Sequence, residues 1–263
     1  MTLKMKQILD NFHKYNMEHV ANAEFGLSED VIYDALVVAP SYTPYRVITD
    51  DTFKITEKVS KSHCAGYEVE KDNLKIAWIR TEIGGCNMLD YLLICGELQF
   101  KRLIFIGSAG ALKEEFNIGD ICTPSYSVAV TLANTYLKDS IKDYVPFEKI
   151  YPDTEYVNGI IRLAEENNYT VKTASVFCTD SIIMEYTHLD EIKTFDTDLI
   201  EMETSTFYAV AKLMEIPAIA LLVVSDNSAT GVPLVGRSKE IQRVYEYSRK
   251  VVLIDLIYKI VSR

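Results

Sequence analysis

Short apolar runs that alternate with amphipathic stretches predict an α/β fold, a single domain over residues 1–263 with a central mixed, largely parallel sheet flanked by helices. Two further features agree. The chain has 263 residues, 48% of them hydrophobic, and no long Pro/Gly/Ser run that would mark a linker, so it can bury one sizeable core. Strands separated by helical crossovers run parallel, and the crossovers cover the faces of the sheet.

The elements follow in chain order. "LKMKQILDNFHKY" carries its apolar residues at helical spacing. "ALVVAP" (35–40) is an apolar run stopped by Pro40 and reads as a strand, as does "LKIAWIR" (74–80). "NMLDYLLICGEL" (87–98) reads as a helix and "RLIFIG" (102–107) as a strand. After "IGDICTP" (118–124) the segment "SYSVAVTL" is β-prone, and 134–152 is Tyr-rich and less regular. "TEYVNGIIRLAEENN" predicts a helix and "VKTASVFC" (171–178) a strand, followed by a loop. Phe207, Val210, Ala211 and Met214 recur as i, i+3, i+4 and i+7, so about 204–215 is a helix with one buried face, and Pro217 prevents its continuing. "AIALLVV" (218–224) has no polar face and predicts a fully buried strand. The tail "SKEIQRVYEYSRKVVLIDLIYKIVSR" predicts a long amphipathic helix.

A net charge of −11 without any Lys/Arg cluster works against nucleic acid and anionic membrane as partners, because both need a positive face. Small molecules are the expected ligands. Cys64, Cys86, Cys95, Cys122 and Cys178 form no CxxC pair and sit in apolar segments, which predicts reduced, buried thiols, no metal centre and a cytoplasmic location. The N-terminus has no apolar core of a signal peptide, and 18 apolar residues never run uninterrupted, so neither secretion nor a membrane span is expected.

Two stretches carry chemistry. "IEMETSTFYAVAKLMEIPAIALLVVSDN" (200–227) places Glu201 and Glu203 at a helix entrance and Asp226 just past a strand's carboxyl end. In open α/β sheets that edge is where ligands bind. Carboxylates at such a helix start can also serve only the macrodipole, and Ser225 with Asp226 can merely open a turn. "LIFIGSAGAL" (103–112) predicts a strand running into a loop of small residues, Gly107 to Gly110, whose N–H groups can approach an anion or a sugar. The GxGxxG spacing of a dinucleotide site is absent.

Taken in order, "IGSAGAL", "NIGDI" and "IEMETSTFYAVAKLMEIPAIALLVVSDN" resemble the purine nucleoside phosphorylase and uridine phosphorylase family, which also contains hydrolytic methylthioadenosine nucleosidases. The resemblance covers roughly 35–260 and implies a nucleoside phosphorylase-like fold, no cofactor beyond phosphate as co-substrate, and a homo-oligomer with active sites near subunit contacts. It implies that Glu203, preceded by Met202, accepts hydrogen bonds from the ribose 2′ and 3′ hydroxyls, a diol suiting the two carboxylate oxygens. Asp226 falls where the family donates a proton to purine N7 as the glycosidic bond breaks, and Arg237 falls close to its partner arginine, two residues nearer than usual. Ile182 and Ile200 fall at the base pocket, and Ser108, next to Gly107, at the serine that contacts phosphate or the attacking water.

The departures bear on the nucleophile. Where hexameric phosphorylases carry a phosphate-binding arginine, this chain has Phe105, and the early glycine-aspartate-proline loop reads "APSYTPYR", which keeps an arginine, Arg46, only with one residue inserted. No glutamate stands between 37 and 46 to activate water as in the nucleosidases. Arg46, Arg80 or a neighbouring subunit's arginine could substitute in holding phosphate, and the sequence places phosphorolysis slightly ahead of hydrolysis. Between Cys178 and Ile200 there is neither Gln nor Arg, which disfavours uridine and favours a purine nucleoside. His13 and His19 are weak candidates for the sugar's 5′ end; Tyr42, Tyr45 and Tyr186 receive no role.

Overall fold

A computed structural model describes residues 2–263. The N-terminal part runs α1 (Leu3–His13), α2 (Val20–Phe25), β1 (Ile32–Tyr33), β2 (Ala35–Pro40) and α3 (Pro44–Val47). The hairpin β3 (Lys54–Ser60) and β4 (Ala65–Lys71) then leads into β5 (Leu74–Thr81), α4 (Gly85–Ile94) and β6 (Gln99–Phe100). The middle comprises β7 (Leu103–Ala111), β8 (Ile121–Ala129), β9 (Glu148–Ile150), α5 (Thr154–Glu166) and β10 (Val171–Cys178). Last come α6 (Ile182–Glu185), α7 (Leu189–Lys193), β11 (Leu199–Glu201), α8 (Thr204–Met214), β12 (Ala218–Asn227), α9 (Lys239–Tyr247) and α10 (Leu253–Val261).

The fold is mixed α/β, as expected. The main sheet has the order β11-β10-β8-β12-β7-β2-β5-β4-β3, with β9 beside β8. Its central pairs, β5 with β2, β2 with β7 and β7 with β12, are parallel. Strands β2 and β12 are buried along their whole length, which is why they read as unbroken apolar runs. Side chains alternate between two cores. Leu103 and Phe105 of β7 join Phe207 of α8 on one face, while Ile104 and Ile106 join Ile160 of α5 and Leu256 of α10 on the other.

Four expectations are corrected. The small residues 107–110 are strand, not loop: β7 pairs with β12 from Leu103 through to Ala111. Strand β12 likewise continues past Val224 to Asn227, with a register irregularity between Val224 and Asp226, so Asp226 lies within the strand, one residue before its end. The sheet is not simply open, since β11 pairs with β10 on one side and antiparallel with β7 on the other, closing β7, β12, β8, β10 and β11 into a ring. The segment read as a loop after Cys178 contains α6 and α7. The sequence also gave no sign of β3 and β4, whose solvent-facing, charge-rich β3 lacks an apolar face to read. The C-terminal helix is continuous but changes to a π turn over Ser248–Val252. Among the described residues no helix is long and apolar enough to cross a membrane.

Candidate active site

Strand β7 pairs with β2 only as far as Phe105 and with β11 only from Gly110, so Ile106 to Ala109 have no ladder partner on that edge. A pocket opens at this split. It brings together Gly107, Ser108, Ile182, Ile200, Met202, Glu203 and Asp226, seven of the nine residues singled out from the sequence, and adds Tyr42, Phe105, Glu185 and Glu201. Arg46 and Arg237 do not line it. Arg46 is exposed on the rim, its guanidinium 3.4 Å from the Ser41 carbonyl and over the Tyr42 ring. Arg237 donates to the Ser225 carbonyl and lies 4.7 Å from the Tyr245 ring centroid, a position from which it braces the backbone beside Asp226.

The two glutamates at the start of α8 have separate situations. Glu201 accepts from the N–H groups of Glu203 (2.7 Å) and Thr204 (3.0 Å), the Thr204 hydroxyl (2.8 Å) and the Cys178 thiol (2.8 Å). That is a buried cap of the helix's free donors. Glu203 has one oxygen held by the Gly84 N–H at 2.6 Å, and the carboxyl lines the pocket. Gly84 can aim its N–H there because its φ of 101° lies in a region other residues seldom adopt. Burial, and then the Glu201 charge, push Glu203 up to about 8. Glu201 is also raised by burial, but its donors draw it back, which favours the proton on Glu203 and the negative charge on Glu201.

Asp226 is 8% exposed, and its Oδ1 accepts from the Ser225 hydroxyl at 2.6 Å. Burial raises it above the ordinary carboxylate range, while Ser225 and Arg237 pull it down less strongly. A buried carboxyl that retains its proton can donate it. Room for it comes from Gly110, opposite Ile200 across the β7–β11 pair, where an added Cβ would lie 2.8 Å from Asp226 Oδ2 and 3.2 Å from Ile200 Cγ2. Gly110→Ala is therefore expected to displace the carboxyl and lower turnover by roughly 10²-fold, with a stability loss of only about 1–3 kcal/mol from overpacking. Steady-state kinetics beside a urea titration check this, and unchanged turnover would show that Asp226 needs no fixed position.

Glu185 escaped the sequence reading. It lines the pocket from the short helix α6, and burial together with the Asp226 charge pushes it up to about 7. Its only sequence signal was an acid close behind Ile182 in "SIIMEY". Tyr42, given no role, stands on the pocket wall with its hydroxyl 2.8 Å from Ser108 Oγ. His13, His19, His63 and His188 each face a glutamate and none lines the pocket. Cys86 is exposed, contrary to expectation, whereas the other four thiols are buried. Glu24, His63 and Cys64 cluster at metal-ligand spacing, but Lys61 already holds the Glu24 carboxylate at 3.0 Å.

Comparison with known proteins gives a consistent picture. A family model described as the phosphorylase superfamily matches residues 37–252. A purine nucleoside phosphorylase DeoD-type of Bacillus velezensis is 29% identical over 131 residues, 50% of this chain and 54% of that protein. Another of the same type from Brevibacillus brevis is 29% identical over 132 residues, with the same shares. The chain thus spans about half the length of the curated relatives it matches. Among solved structures, a 5′-methylthioadenosine/S-adenosyl homocysteine nucleosidase of Campylobacter jejuni superposes with a TM-score of 0.66 at 18% identity, covering 87% of this chain and 99% of that one. A uridine phosphorylase of Vibrio fischeri superposes with a TM-score of 0.70 at 13% identity, covering 90% and 95%.

Proposed function

The chain belongs to the phosphorylase superfamily, and from that premise we propose that it cleaves the N-glycosidic bond of a purine nucleoside with water as the nucleophile. One observation carries the choice of nucleophile: among the described residues the pocket is lined by Glu185, Glu201, Glu203 and Asp226 and by no Lys, Arg or His. A phosphate dianion would enter against four carboxyl groups without a charge-assisted donor, whereas water carries no such penalty. This reverses the slight preference for phosphorolysis drawn from the GSAG segment and Arg46. Phe105, in the arginine's place, packs against Phe207 with ring centroids 5.5 Å apart and belongs to the core.

The rest of the assignment follows the pocket's two ends. Glu203 receives the ribose diol, and Asp226, flanked by Ile182 and Ile200, protonates the departing base. The neighbouring Glu185 adds an acid to the base end and no Gln or Arg lines it, which supports a purine over uracil. Incubating the protein with inosine, guanosine, adenosine and uridine, with and without phosphate, tests the proposal. Free purine and ribose, at a rate indifferent to phosphate, is the expected outcome; ribose 1-phosphate formed only with phosphate present would replace hydrolysis by phosphorolysis.

Glu203 also makes a pH dependence. Its folded value lies above the unfolded 4.5, so it stabilises the fold fully below about pH 4.5 and loses that contribution as pH rises through about 8. The melting temperature measured without added nucleoside should fall across that window, and less in Glu203→Gln. A diol donating two O–H groups needs the ionised carboxylate, so a ribonucleoside should bind more tightly as pH approaches 8, with proton release visible by calorimetry in buffers of different ionisation enthalpy. Glu203→Ala should lose roughly 1.5–3 kcal/mol of transition-state binding, about ten- to over a hundredfold in kcat/KM. Retention of wild-type kcat/KM on a ribonucleoside would remove Glu203 from the sugar site.

A further inference from the structure

Three hydroxyls are in mutual contact at one wall of the pocket. Tyr42 OH lies 2.8 Å from Ser108 Oγ and 3.0 Å from Tyr245 OH, and Ser108 Oγ lies 2.5 Å from Tyr245 OH. Tyr42 and Ser108 face the pocket, while Tyr245 of α9 is 3% exposed behind them. Ser108 points this way because it shares a strand face with Ile104 and Ile106, opposite Phe105. The Tyr42 main chain is fixed by Trp78, whose indole N–H donates to its carbonyl at 3.0 Å. Beneath the triangle lies Arg249, 6% exposed, its guanidinium carbon 5.1 Å from the Tyr42 ring centroid and 5.0 Å from that of Tyr245. Nη2 of Arg249 donates to Glu246 at 2.6 Å, but its buried Nε has no partner. A buried cation with a spare donor, set against linked phenols, is an arrangement that suits a phenolate.

We propose that Tyr42 is the general base of the hydrolysis, taking a proton from the attacking water with Ser108 and Tyr245 as its hydrogen-bond relay and Arg249 as its counter-charge. The assignment rests on the hydrolytic reading of the site. The water oxygen bonds to the anomeric carbon as the bond from that carbon to the base nitrogen breaks. The electron pair leaves with the base and is neutralised by the Asp226 proton, while the water's proton goes to the Tyr42 phenolate. The products are free base and ribose; Asp226 then regains a proton from solvent and Tyr42 returns one.

The electrostatics separate the two tyrosines. Burial alone would raise Tyr42, but the Ser108 and Tyr245 hydrogen bonds and the Arg249 charge outweigh it and hold Tyr42 below the usual 10. Burial and the Tyr42 neighbour push Tyr245 up to about 12, so it stays protonated. The other charges near the pair are Arg46 over the Tyr42 ring, Arg237 over the Tyr245 ring, and Glu246, which is shared between Arg249 and Lys250. Across the pocket stand the carboxyl groups of Glu185, Glu201, Glu203 and Asp226, and Arg249, packed against both phenol rings, is the cation set to offset them.

Tyr42→Phe removes one oxygen and leaves the ring that packs against Arg249. Because Asp226 must keep its proton while Tyr42 has lost one, wild-type kcat on a purine nucleoside should stay level between the two ionisations; in Tyr42→Phe it should be about 10²–10⁴-fold lower and decline with pH once Asp226 ionises, with the Kd for the free purine base unchanged. Ultraviolet titration of tyrosinate, wild type minus variant, should show a phenol ionising below pH 10. A variant that keeps kcat within twofold, or one that raises only a KM for phosphate, would overturn the proposal. If the wild type cleaves no nucleoside, the hydrolytic reading fails on its own, while the tyrosinate difference still shows whether Tyr42 ionises; its absence sinks the general base independently.

Discussion

Asp226→Asn should lower kcat on a purine nucleoside by about 10²–10⁴-fold while leaving KM within a few fold. A purine leaves poorly as an anion, and in the transition state negative charge grows on the base as the sugar approaches an oxocarbenium ion. Asp226 is suited to neutralise that charge because burial raises its carboxyl above the ordinary range, which favours its carrying a proton to the base. The amide of Asn has nearly the same shape and can still donate a hydrogen bond from the space that Gly110 leaves open, but it cannot give up a proton. A nitrophenyl riboside separates the two effects, since nitrophenolate departs without protonation. The variant should recover most of its rate on that substrate. Equal impairment on both substrates would show that Asp226 orients the base and does not protonate it.

Glu201→Ala is expected to destabilise the fold by roughly 3–5 kcal/mol, as removal of one partner from a buried charged network generally does. The substitution orphans the Glu203 and Thr204 N–H groups at the head of α8; the Thr204 hydroxyl keeps Ser127, 2.7 Å away, and the Cys178 sulfur keeps the Thr204 hydroxyl at 3.5 Å and the Ser205 N–H at 3.3 Å. Water cannot easily replace the carboxylate, because Thr204 and Cys178 are almost wholly buried. The urea midpoint should therefore drop sharply, whereas Glu203→Ala, which leaves only the Gly84 N–H without its acceptor, should lower it much less. A loss below about 1 kcal/mol in Glu201→Ala would mean that the cap is dispensable.

The contrast between these glutamates shows where sequence reading reaches its limit. Both stand in "IEMETS", and helix-start chemistry alone treats them alike. They part because Glu201 ends β11 beside Cys178 of β10, whereas Glu203 faces Gly84 from a distant loop. Likewise, "GSAG" looks like a turn because small residues usually make turns, yet pairing with the apolar run of β12 keeps it extended. The hairpin β3–β4 was illegible since its outer strand buries almost nothing.

What the sequence by itself determined is the set of periodic elements and the chemistry between them. The i, i+3, i+4 spacing of α8, the apolar runs of β2 and β12, an acid at a helix entrance and another after a buried run depend on neighbours a few residues apart. They single out Glu203 and Asp226 before any folding is known, and the fold brings both to one pocket. Only the tertiary structure brought the three linked hydroxyls together. Tyr42 and Tyr245 are 203 residues apart and Ser108 and Tyr245 137 apart, so no local pattern joins them. Their meeting depends on β7 aiming Ser108 at the same face that the C-terminal helix covers. Arg249 reads in the sequence as one more charge on an amphipathic helix, and packing against both phenols turns it into a buried counter-ion.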